Sequence, residues 1–351
     1  MSNEIELKLA VTPEIADQFS QILSDFHILK QDKLFLGNIY YDTADRYFAQ
    51  HKMGLRVRSE NQQFTMTLKT NGNVTGGLHI RPEYNFLLNS AQPDVAVLQQ
   101  IENITLPTDL KLAPIFSTDF MRQWWLIECG KNTEIEIALD RGEIKVKDKI
   151  KPICEIEFEL KSGELADLFT FVANLSFVDG VRLSSWSKAK RGYQLTQGGL
   201  STAKDWLEQW RVFLDVEKSA VNSQQVLTAL LNYEQQLIEE TMQFGIDFFA
   251  QQFIQTVERI GAFFNLYHYY VDNGHLIQQV FEQQLERNHN LDENMVLDIV
   301  ESNQYLFEQI RHIIRLHSES KDSQQAMRRL QNLLQQGQYV KRMLNLMRMV
   351  N

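Results

Sequence analysis

The residues of this chain best suited to metal and phosphate chemistry stand near its start, where Glu4, Glu6 and Lys8 alternate with aliphatic side chains. Because successive side chains of a β-strand point to opposite faces, this alternation places two carboxylates and an ammonium group on one face. Carboxylates two residues apart on a strand can hold Mg²⁺ or Mn²⁺, which are hard ions that prefer oxygen ligands. Taken alone, the pattern also fits the solvent-exposed face of an antiparallel sheet.

The same alternation of ionised and apolar residues returns along the first half of the chain. The polar faces of these further runs carry Arg56 and Arg58; Thr65, Thr67 and Lys69; His79, Arg81 and Glu83; Glu134, Glu136, Ala138 and Asp140; Lys145 and Lys147; and Glu155, Glu157 and Glu159. For any single strand, a wet face with cross-strand ion pairs is the simpler interpretation. Together the runs favour polar faces that turn inward, because about eight antiparallel strands can close into a barrel with room for one ligand.

A lumen lined by both signs of charge would suit a polyanion that binds together with divalent cations. Arginine presents a planar fork that matches phosphate oxygens, lysine adds a point charge, and carboxylates hold metal. An acidic lining alone would trap metal, and a basic lining alone would bind phosphate without activating it. Both signs together indicate metal-assisted phosphoryl chemistry.

Size, charge and cysteine content limit the class of protein. The chain has 351 residues and a formal net charge of -10, so we expect two domains and no nucleic acid as a partner. Its two cysteines, Cys129 and Cys154, lack metal-binding spacing and favour a reducing compartment. The charged start does not resemble a signal peptide, and no run of about 18 apolar residues follows. The sequence therefore predicts a cytoplasmic protein that does not associate with a membrane.

A change of composition after Gly198 and Gly199 predicts the boundary between two domains. All six prolines lie before it, among short alternating runs, whereas apolar residues after it recur at steps of three and four. The latter spacing is typical of packed amphipathic helices. The sequence therefore predicts an α+β protein with a β-rich domain over residues 1–200 and an all-α bundle over residues 201–351.

An ordered series of motifs in residues 1–200 resembles the CYTH domains, which are the triphosphate tunnel metalloenzymes. The series contains Glu4-x-Glu6-x-Lys8, Tyr40-Tyr41-Asp42-Thr43, Leu55-Arg56-Val57-Arg58, Thr67-Leu68-Lys69, His79-Ile80-Arg81-Pro82-Glu83, Arg122, Glu136-Ile137-Ala138-Leu139-Asp140-Arg141-Gly142, Cys154-Glu155-Ile156-Glu157-Phe158-Glu159-Leu160 and Ser187-Lys188-Ala189-Lys190-Arg191-Gly192. The segments around Asp140 and Glu159 are most similar to the bacterial inorganic triphosphatase branch. The resemblance implies a closed antiparallel eight-stranded β-tunnel with flanking helices.

The resemblance also implies roles for individual residues. The implied metal ligands are Glu4, Glu6, Glu157 and Glu159, with Asp140 as the ligand of a second ion. The implied phosphate-binding residues are Lys8, Arg56, Arg58, Lys69, Arg81, Arg122 and Lys188. The candidates for a catalytic role are Glu83, Asp140 and Lys188. Lys188 ends the loop-like stretch Ser184-Ser185-Trp186-Ser187-Lys188 and is the candidate for the side of the leaving group. The roles of Glu83, Glu136 and Glu155 stay open between metal ligation, orientation of the bases and positioning of water.

The activity that the resemblance implies is hydrolysis of inorganic triphosphate to pyrophosphate and phosphate, with Mg²⁺ or Mn²⁺ as the cofactor. Hydrolysis of thiamine triphosphate and cyclisation of ATP use the same kind of tunnel and stay as alternatives. A further alternative is a protein that binds polyphosphate without catalysis. The sequence leaves the oligomeric state and the choice of metal open.

The helical half resembles a shortened, divergent CHAD domain, a helical bundle associated with phosphate-rich polymers. Its position and the segment Met327-Arg328-Arg329-Leu330 fit that family, but the expected early helix dense in His and Arg is not evident. From residue 200 onward, 13 Lys and Arg against 19 Asp and Glu give a net charge of −6. We therefore favour a packing or dimerisation element over polyphosphate binding by this half.

Overall fold

A closed barrel of antiparallel strands occupies the first half of the chain in the computed structural model, which describes residues 2–102, 104–130, 132–175, 178–199, 202–285, 291 and 293–351. The strands are β1 Ser2–Val11, β2 Ile28–Asp42, β3 Gly54–Glu60, β4 Gln63–Lys69, β5 Asn73–Thr75, β6 Leu78–Leu88, β7 Ala113–Cys129, β8 Thr133–Val146, β9 Lys149–Ser162 and β10 Val181–Leu183. Within the described residues, eight of them pair in the order β1-β9-β8-β7-β2-β3-β4-β6, and pairing of β6 with β1 closes the ring. The predicted eight-stranded tunnel is confirmed.

Helices cover the apolar outer face of this barrel. The helices of the first half are α1 Pro13–Ile22, α2 Tyr47–Gln50, α3 Val95–Leu98, α4 Leu165–Asn174 and α5 Lys188–Thr196. On β1 and β9, the outward residues Leu7 and Phe158 are fully buried. Phe19 of α1 meets Phe158 edge to face, with ring centroids 6.4 Å apart. Aromatic and aliphatic burial on the outside therefore leaves the other strand face, with its ions, to the lumen.

The helix α5 packs against the inner residues at one end of the barrel. Its Ala189 and Tyr193 contact a buried cluster that includes Phe116 and Phe120 of β7. Close packing depends on Gly192, because a Cβ atom at that position would lie 2.2 Å from the ring of Phe116. This contact fixes the helix whose first residue is Lys188.

The second half of the chain is helical, as predicted. Its helices are α6 Trp206–Ser219, α7 Ser223–Ala250, α8 Phe253–Asp272, α9 Gly274–Leu285, α10 Glu293–Ser320, α11 Ser323–Leu334 and α12 Gly337–Val350. They share one hydrophobic core with the outer face of the barrel, to which α12 contributes Met347. A Cβ atom at Gly76, before β6, would lie 2.7 Å from the Met347 sulfur. The predicted boundary between residues 200 and 201 lies outside the described residues, and the division into two domains stays a prediction.

Among the described residues, every helix is too short or too polar for a membrane span.

Candidate active site

The barrel encloses a cavity of about 1130 Å³ whose lining is mainly polar and charged. The predicted site residues that line it are Glu4, Glu6, Lys8, Arg56, Arg58, Lys69, Arg81, Glu83, Arg122, Glu136, Glu157, Glu159 and Lys188. Asp140 and Glu155 lie behind this surface, where both contact Lys188. The structure thus brings the predicted set together, while the role of each residue stays a prediction.

The register of the strands explains why these side chains meet. Lys8 pairs with Glu157 across β1 and β9, and Arg122 pairs with Asp140 across β7 and β8. Because residues two apart on a strand share a face, each strand adds a row of ions to the lumen. Lys145, five residues after Asp140, therefore points outward and its side chain is 40% exposed. Its predicted place among the lumen-facing runs is wrong.

Three carboxylates at the base of the cavity form what we call the inner acidic group, namely Asp140, Glu155 and Glu157. One ligand oxygen from each lies within 4.8 Å of the others. The Lys188 Nζ atom lies 2.6 Å from Asp140 Oδ2 and 2.9 Å from Glu157 Oε1. The Lys8 Nζ atom lies 3.4 Å from Glu155 Oε1 and makes a shorter bond to Glu157. The inner acidic group is therefore bridged by two buried ammonium groups.

Arg122 completes the ion pairs of this group. Its Nε and Nη2 atoms donate to the two carboxylate oxygens of Asp140 at 2.8 and 2.7 Å, and Nη2 also donates to Glu157 Oε2 at 2.7 Å. Burial alone would lower the pKa of Arg122, but these two carboxylates raise it well above the ordinary value. The guanidinium group is therefore cationic and held in a fixed plane.

The ion pairs keep the carboxylates charged in a place that holds little water. Burial alone would raise the pKa of Glu155, but Lys188 and Lys8 lower it to about 2. Burial alone would also raise the pKa of Glu157, but Lys188, Lys8 and Arg122 lower it well below the ordinary value. The pKa of each lysine is raised, because the carboxylates outweigh the effect of burial. Glu155, Glu157, Lys8 and Lys188 are therefore ionised near neutral pH.

A second set of ion pairs links β1 to β4 and β6. Arg81 donates from Nε to Glu4 Oε2 at 3.1 Å and from Nη2 to Glu6 Oε1 at 2.9 Å. Lys69 lies 2.9 Å from Glu83 Oε2 and makes a shorter bond to Glu4. Burial alone would raise the pKa of Glu83, but Lys69 helps to lower it to about 2. Bases from β4 and β6 thus orient the acids of β1.

Glu159 has less compensating charge than Glu4 and Glu6 of β1. Burial, with smaller contributions from Glu4 and Glu136, raises the pKa of Glu159 to about 6. Its nearest cation is Lys161, at 3.0 Å, whose own side chain is partly exposed. A further cation near Glu159 and Glu136 would stabilise the ionised carboxylates.

Arg58 shows the opposite shortage, because no carboxylate among the described residues compensates it to a comparable degree. Burial alone would lower the pKa of its neighbour Arg56, but Tyr40 and Glu83 raise it. Arg58 Nε donates to the amide oxygen of Asn38 at 3.1 Å. Burial, together with Arg56 and Arg122, lowers the pKa of Arg58 to about 9. The Nε atom of Arg56 has no hydrogen-bond partner within the part of the chain that the structure describes. The lowered pKa of Arg58 and the free hydrogen-bonding capacity of the Arg56 Nε atom both favour the binding of an anion here.

Helix α5 differs from the sequence-based expectation in two respects. Lys188, which we expected in a loop, is the first residue of the helix, and the hydroxyl of Ser187 accepts a hydrogen bond from Lys190 N at 3.1 Å as its N-cap. Arg191 was not predicted as a site residue, yet its Nη2 atom donates to Glu155 Oε2 at 2.9 Å. A prediction of a helix here would have indicated Arg191, because residues three apart, such as Lys188 and Arg191, share a helix face.

Side chains from the helical half also reach the cavity, which the sequence did not predict. Asn232, Gln235 and Gln236 of α7 line it together with Ser185. These residues are far apart in sequence, and no motif links them.

The donor set of the lumen fits a hard divalent cation. Carboxylate oxygens are the ligands that Mg²⁺ and Mn²⁺ prefer, and the inner acidic group offers three of them within 4.8 Å. Glu4, Glu6 and Glu159 offer further carboxylates, and the raised pKa of Glu159 is evidence of missing positive charge there. Both places are thus candidates for metal.

A closed barrel whose lumen carries buried bases and carboxylates defines a tunnel protein suited to a polyanion and divalent cations. A comparison with family models agrees with this class, since the model of the CYTH domain matches residues 2–193. The chain therefore belongs to the CYTH domain family.

Individual relatives extend this result. The chain is 46% identical over 350 residues to an inorganic triphosphatase of Haemophilus influenzae, and the match covers 99% of this chain and 97% of that protein. Among solved structures, a putative adenylyl cyclase from Hippeastrum with a dominant triphosphatase activity matches at 20% identity and a TM-score of 0.41, covering 56% of this chain and 97% of the other. A putative adenylate cyclase from Bacillus halodurans matches at 22% identity and a TM-score of 0.31, covering 46% of this chain and 83% of the other.

Proposed function

We propose that this chain hydrolyses inorganic triphosphate to pyrophosphate and phosphate inside its tunnel, with Mg²⁺ or Mn²⁺ as the cofactor. The observation that carries the proposal is the lumen, where burial and the neighbouring cations Arg56 and Arg122 lower the pKa of Arg58 while carboxylates gather in the same cavity. The Haemophilus influenzae relative, which is similar along almost the whole chain, is an inorganic triphosphatase. A polyanion and a divalent cation together would satisfy both sets of charges.

In this proposal the bases of the lumen bind the phosphate oxygens. Arg58 gains most from an anion, because it is buried beside the cations Arg56 and Arg122, which lower its pKa. Lys8, Lys188 and Arg122 already meet at Glu157, so each can turn from carboxylate to phosphate with little movement. Fixed positive charge around the equatorial oxygens stabilises the transition state of phosphoryl transfer.

Three residues have catalytic roles in this proposal. Lys188, with its raised pKa, supplies positive charge to the oxygen of the departing pyrophosphate. Asp140 accepts two hydrogen bonds from Arg122 and so holds that guanidinium group toward the substrate. Glu83 has a pKa of about 2, so it is ionised and accepts a hydrogen bond from the attacking water.

The metal would be held by Glu4, Glu6, Glu157 and Glu159, with Asp140 at a second ion. When bound, such an ion offsets the charge of the phosphates and lowers the pKa of a coordinated water. Glu4, Glu6 and Glu157 have lowered pKa values despite their burial, so these three carboxylates are ionised before metal binds. Glu136 and Glu155 orient the neighbouring bases in this proposal.

A phosphate-release panel tests the proposed function. The purified chain is given inorganic triphosphate (tripolyphosphate), thiamine triphosphate, ATP or long polyphosphate, each with Mg²⁺, with Mn²⁺ or with EDTA. We expect phosphate release from inorganic triphosphate in either metal, with kcat/KM at least about tenfold above the other substrates, and no release in EDTA.

The panel also separates the alternatives. Preference for thiamine triphosphate, or formation of cyclic AMP and pyrophosphate from ATP, would replace the proposal with one of the other tunnel reactions. Tight binding of any of these polyphosphates without turnover in either metal would show a non-catalytic binding protein.

Replacing Arg58 with Gln should raise the stability of the free protein while weakening binding of the substrate. Burial, with Arg56 and Arg122, lowers the pKa of Arg58 from its ordinary value to about 9 in the folded chain. The cation that exists at pH 7.5 is therefore destabilised in the folded state relative to the unfolded state. We expect Arg58→Gln to raise Tm by about 1–3 °C without ligand. In EDTA, which prevents turnover, tripolyphosphate should raise Tm less than it does in the wild-type chain.

Differential scanning fluorimetry measures both effects, with Arg141→Gln as the control. Arg141 lies on the outer face and pairs with Asp17, and both side chains are substantially exposed, so its loss should leave both values within about 1 °C. A lower Tm for Arg58→Gln without ligand, or an unchanged response to tripolyphosphate, would contradict this account.

We also propose the two domains and the cellular location that the sequence suggested. Residues 1–200 would form a CYTH-like domain, and residues 201–351 a divergent CHAD-like domain with a packing role, with polyphosphate binding as its alternative. A cytoplasmic location is supported by Cys129 and Cys154, neither of which forms a disulfide.

A further inference from the structure

Helix α7 of the helical half contacts the segment that leads into the active site. Two of its residues, Gln235 and Glu239, lie one turn apart, and their side chains are 2% and 0% exposed. Gln235 lines the cavity, as do its neighbours Asn232 and Gln236. The wall at this end of the tunnel is therefore built by both halves of the chain.

The Glu239 carboxylate binds the segment 182–185, which contains the end of β10 and the two residues after it. It accepts hydrogen bonds from the backbone N–H of Ser185 and, at 3.1 Å, from Nη1 of Arg182. The Nε2 atom of Gln235 donates to the backbone oxygen of Leu183 at 3.2 Å. A buried carboxylate that accepts a backbone N–H makes a stronger bond than a neutral acceptor does. Arg182 compensates the charge, so the burial of Glu239 is tolerated.

This segment carries Lys188 only three residues further on. Ser187 caps helix α5, and Lys188 then bonds to all three members of the inner acidic group. A displacement of Ser185 would therefore shift an ammonium group that touches the reacting phosphates in the proposed function. Displacements of about 1 Å can cost as much as 100-fold in rate.

We propose that Glu239 is a positioning residue of the tunnel, and that the helical half thereby completes the active site. The inference rests on the proposed function, because it concerns the residue that faces the leaving group. Helix α7 thus has a role beyond packing. The carboxylate of Glu239 holds the backbone at Ser185, and the position of this backbone determines the position of Lys188.

Glu239→Gln in the full-length chain tests this inference. The amide keeps the size of the side chain but turns an NH₂ group toward the Ser185 N–H or toward Arg182, so one donor loses its acceptor. We expect kcat for tripolyphosphate to fall by about 10- to 100-fold, while KM changes by less than about threefold. Hydrogen exchange in the peptides that cover residues 182–190 should become faster, and exchange in the barrel strands should not.

Glu240→Gln is the matched control on the same helix. Glu240 is also buried, but its carboxylate binds Arg259 and the backbone N–H of Lys204, away from the segment at Ser185. This variant should lower Tm and leave kcat within about twofold of the wild-type value. A loss of kcat that follows stability alone would appear in both variants.

A second variant covers the case in which Glu239→Gln does not fold. Gln235→Leu removes the hydrogen bond to Leu183 without removing a charge, and it should lower kcat several-fold and quicken the same exchange. Unchanged kcat or unchanged exchange in whichever variant folds would overturn the inference. A wild-type chain that releases no phosphate, with faster exchange in the variants, would instead refute the proposed function and retain the structural role of Glu239.

Discussion

Replacement of Glu6 by Gln is expected to lower kcat for tripolyphosphate by at least about 1000-fold and to leave the fold intact. Glu6 is 3% exposed, accepts a hydrogen bond from Arg81 at 2.9 Å and lies 3.7 Å from Lys8. The amide removes the negative charge that the proposed metal site needs, and it presents an NH₂ group to either base. Because the outer face of β1 is unchanged, the packing of Leu7 and Leu9 should hold the barrel together.

Steady-state kinetics across a range of Mg²⁺ concentrations measure this effect. Glu143→Gln is the control, since Glu143 pairs with Lys145 on the outside of the same barrel and its side chain is 37% exposed. The control should retain kcat within about twofold, and Tm of both variants should stay within about 3 °C of the wild-type value. If Glu6→Gln retained kcat within about threefold, Glu6 would not be a metal ligand.

The barrel could be predicted from the sequence because its two faces differ so strongly. Alternation at Glu4, Glu6 and Lys8 places the ions on one face and leaves aliphatic side chains for the other. The fold then follows from burial of the aliphatic face under helices such as α1. The pairing of Lys8 with Glu157 and of Arg122 with Asp140 depends on the register between neighbouring strands. The sequence indicated this register only through the resemblance of its ordered motifs to the CYTH domains.

The contribution of α7 could not be predicted, because it depends on contacts between distant segments. Glu239 stands in a helix whose sequence resembles any amphipathic helix, and its partners Arg182 and Ser185 precede it by more than fifty residues. The exterior place of Lys145 was missed for a different reason. Alternation shows which residues share a face, but a count from Asp140 is needed to show which face it is.

Arg342→Met should strongly destabilise the helical half of the chain. Arg342 and Glu234 are both fully buried, with Nη1 2.8 Å from Oε1. The same carboxylate accepts hydrogen bonds from the hydroxyls of Tyr267 and Tyr270 at 3.0 and 2.9 Å. Removal of the cation leaves a buried carboxylate with neutral donors only, at a cost of about 3–5 kcal/mol. We expect Tm to fall by roughly 5–15 °C.

A second replacement shows whether the unpaired charge is the cause. Glu234→Gln in the Arg342→Met background keeps an acceptor for the tyrosine hydroxyls but removes the charge, so it should restore a substantial part of Tm. Arg328→Met is the control, because Arg328 lies exposed on α11 and should change Tm by less than about 1 °C. If the double variant were less stable than Arg342→Met, packing of the long side chain, and not its charge, would be what Arg342 contributes.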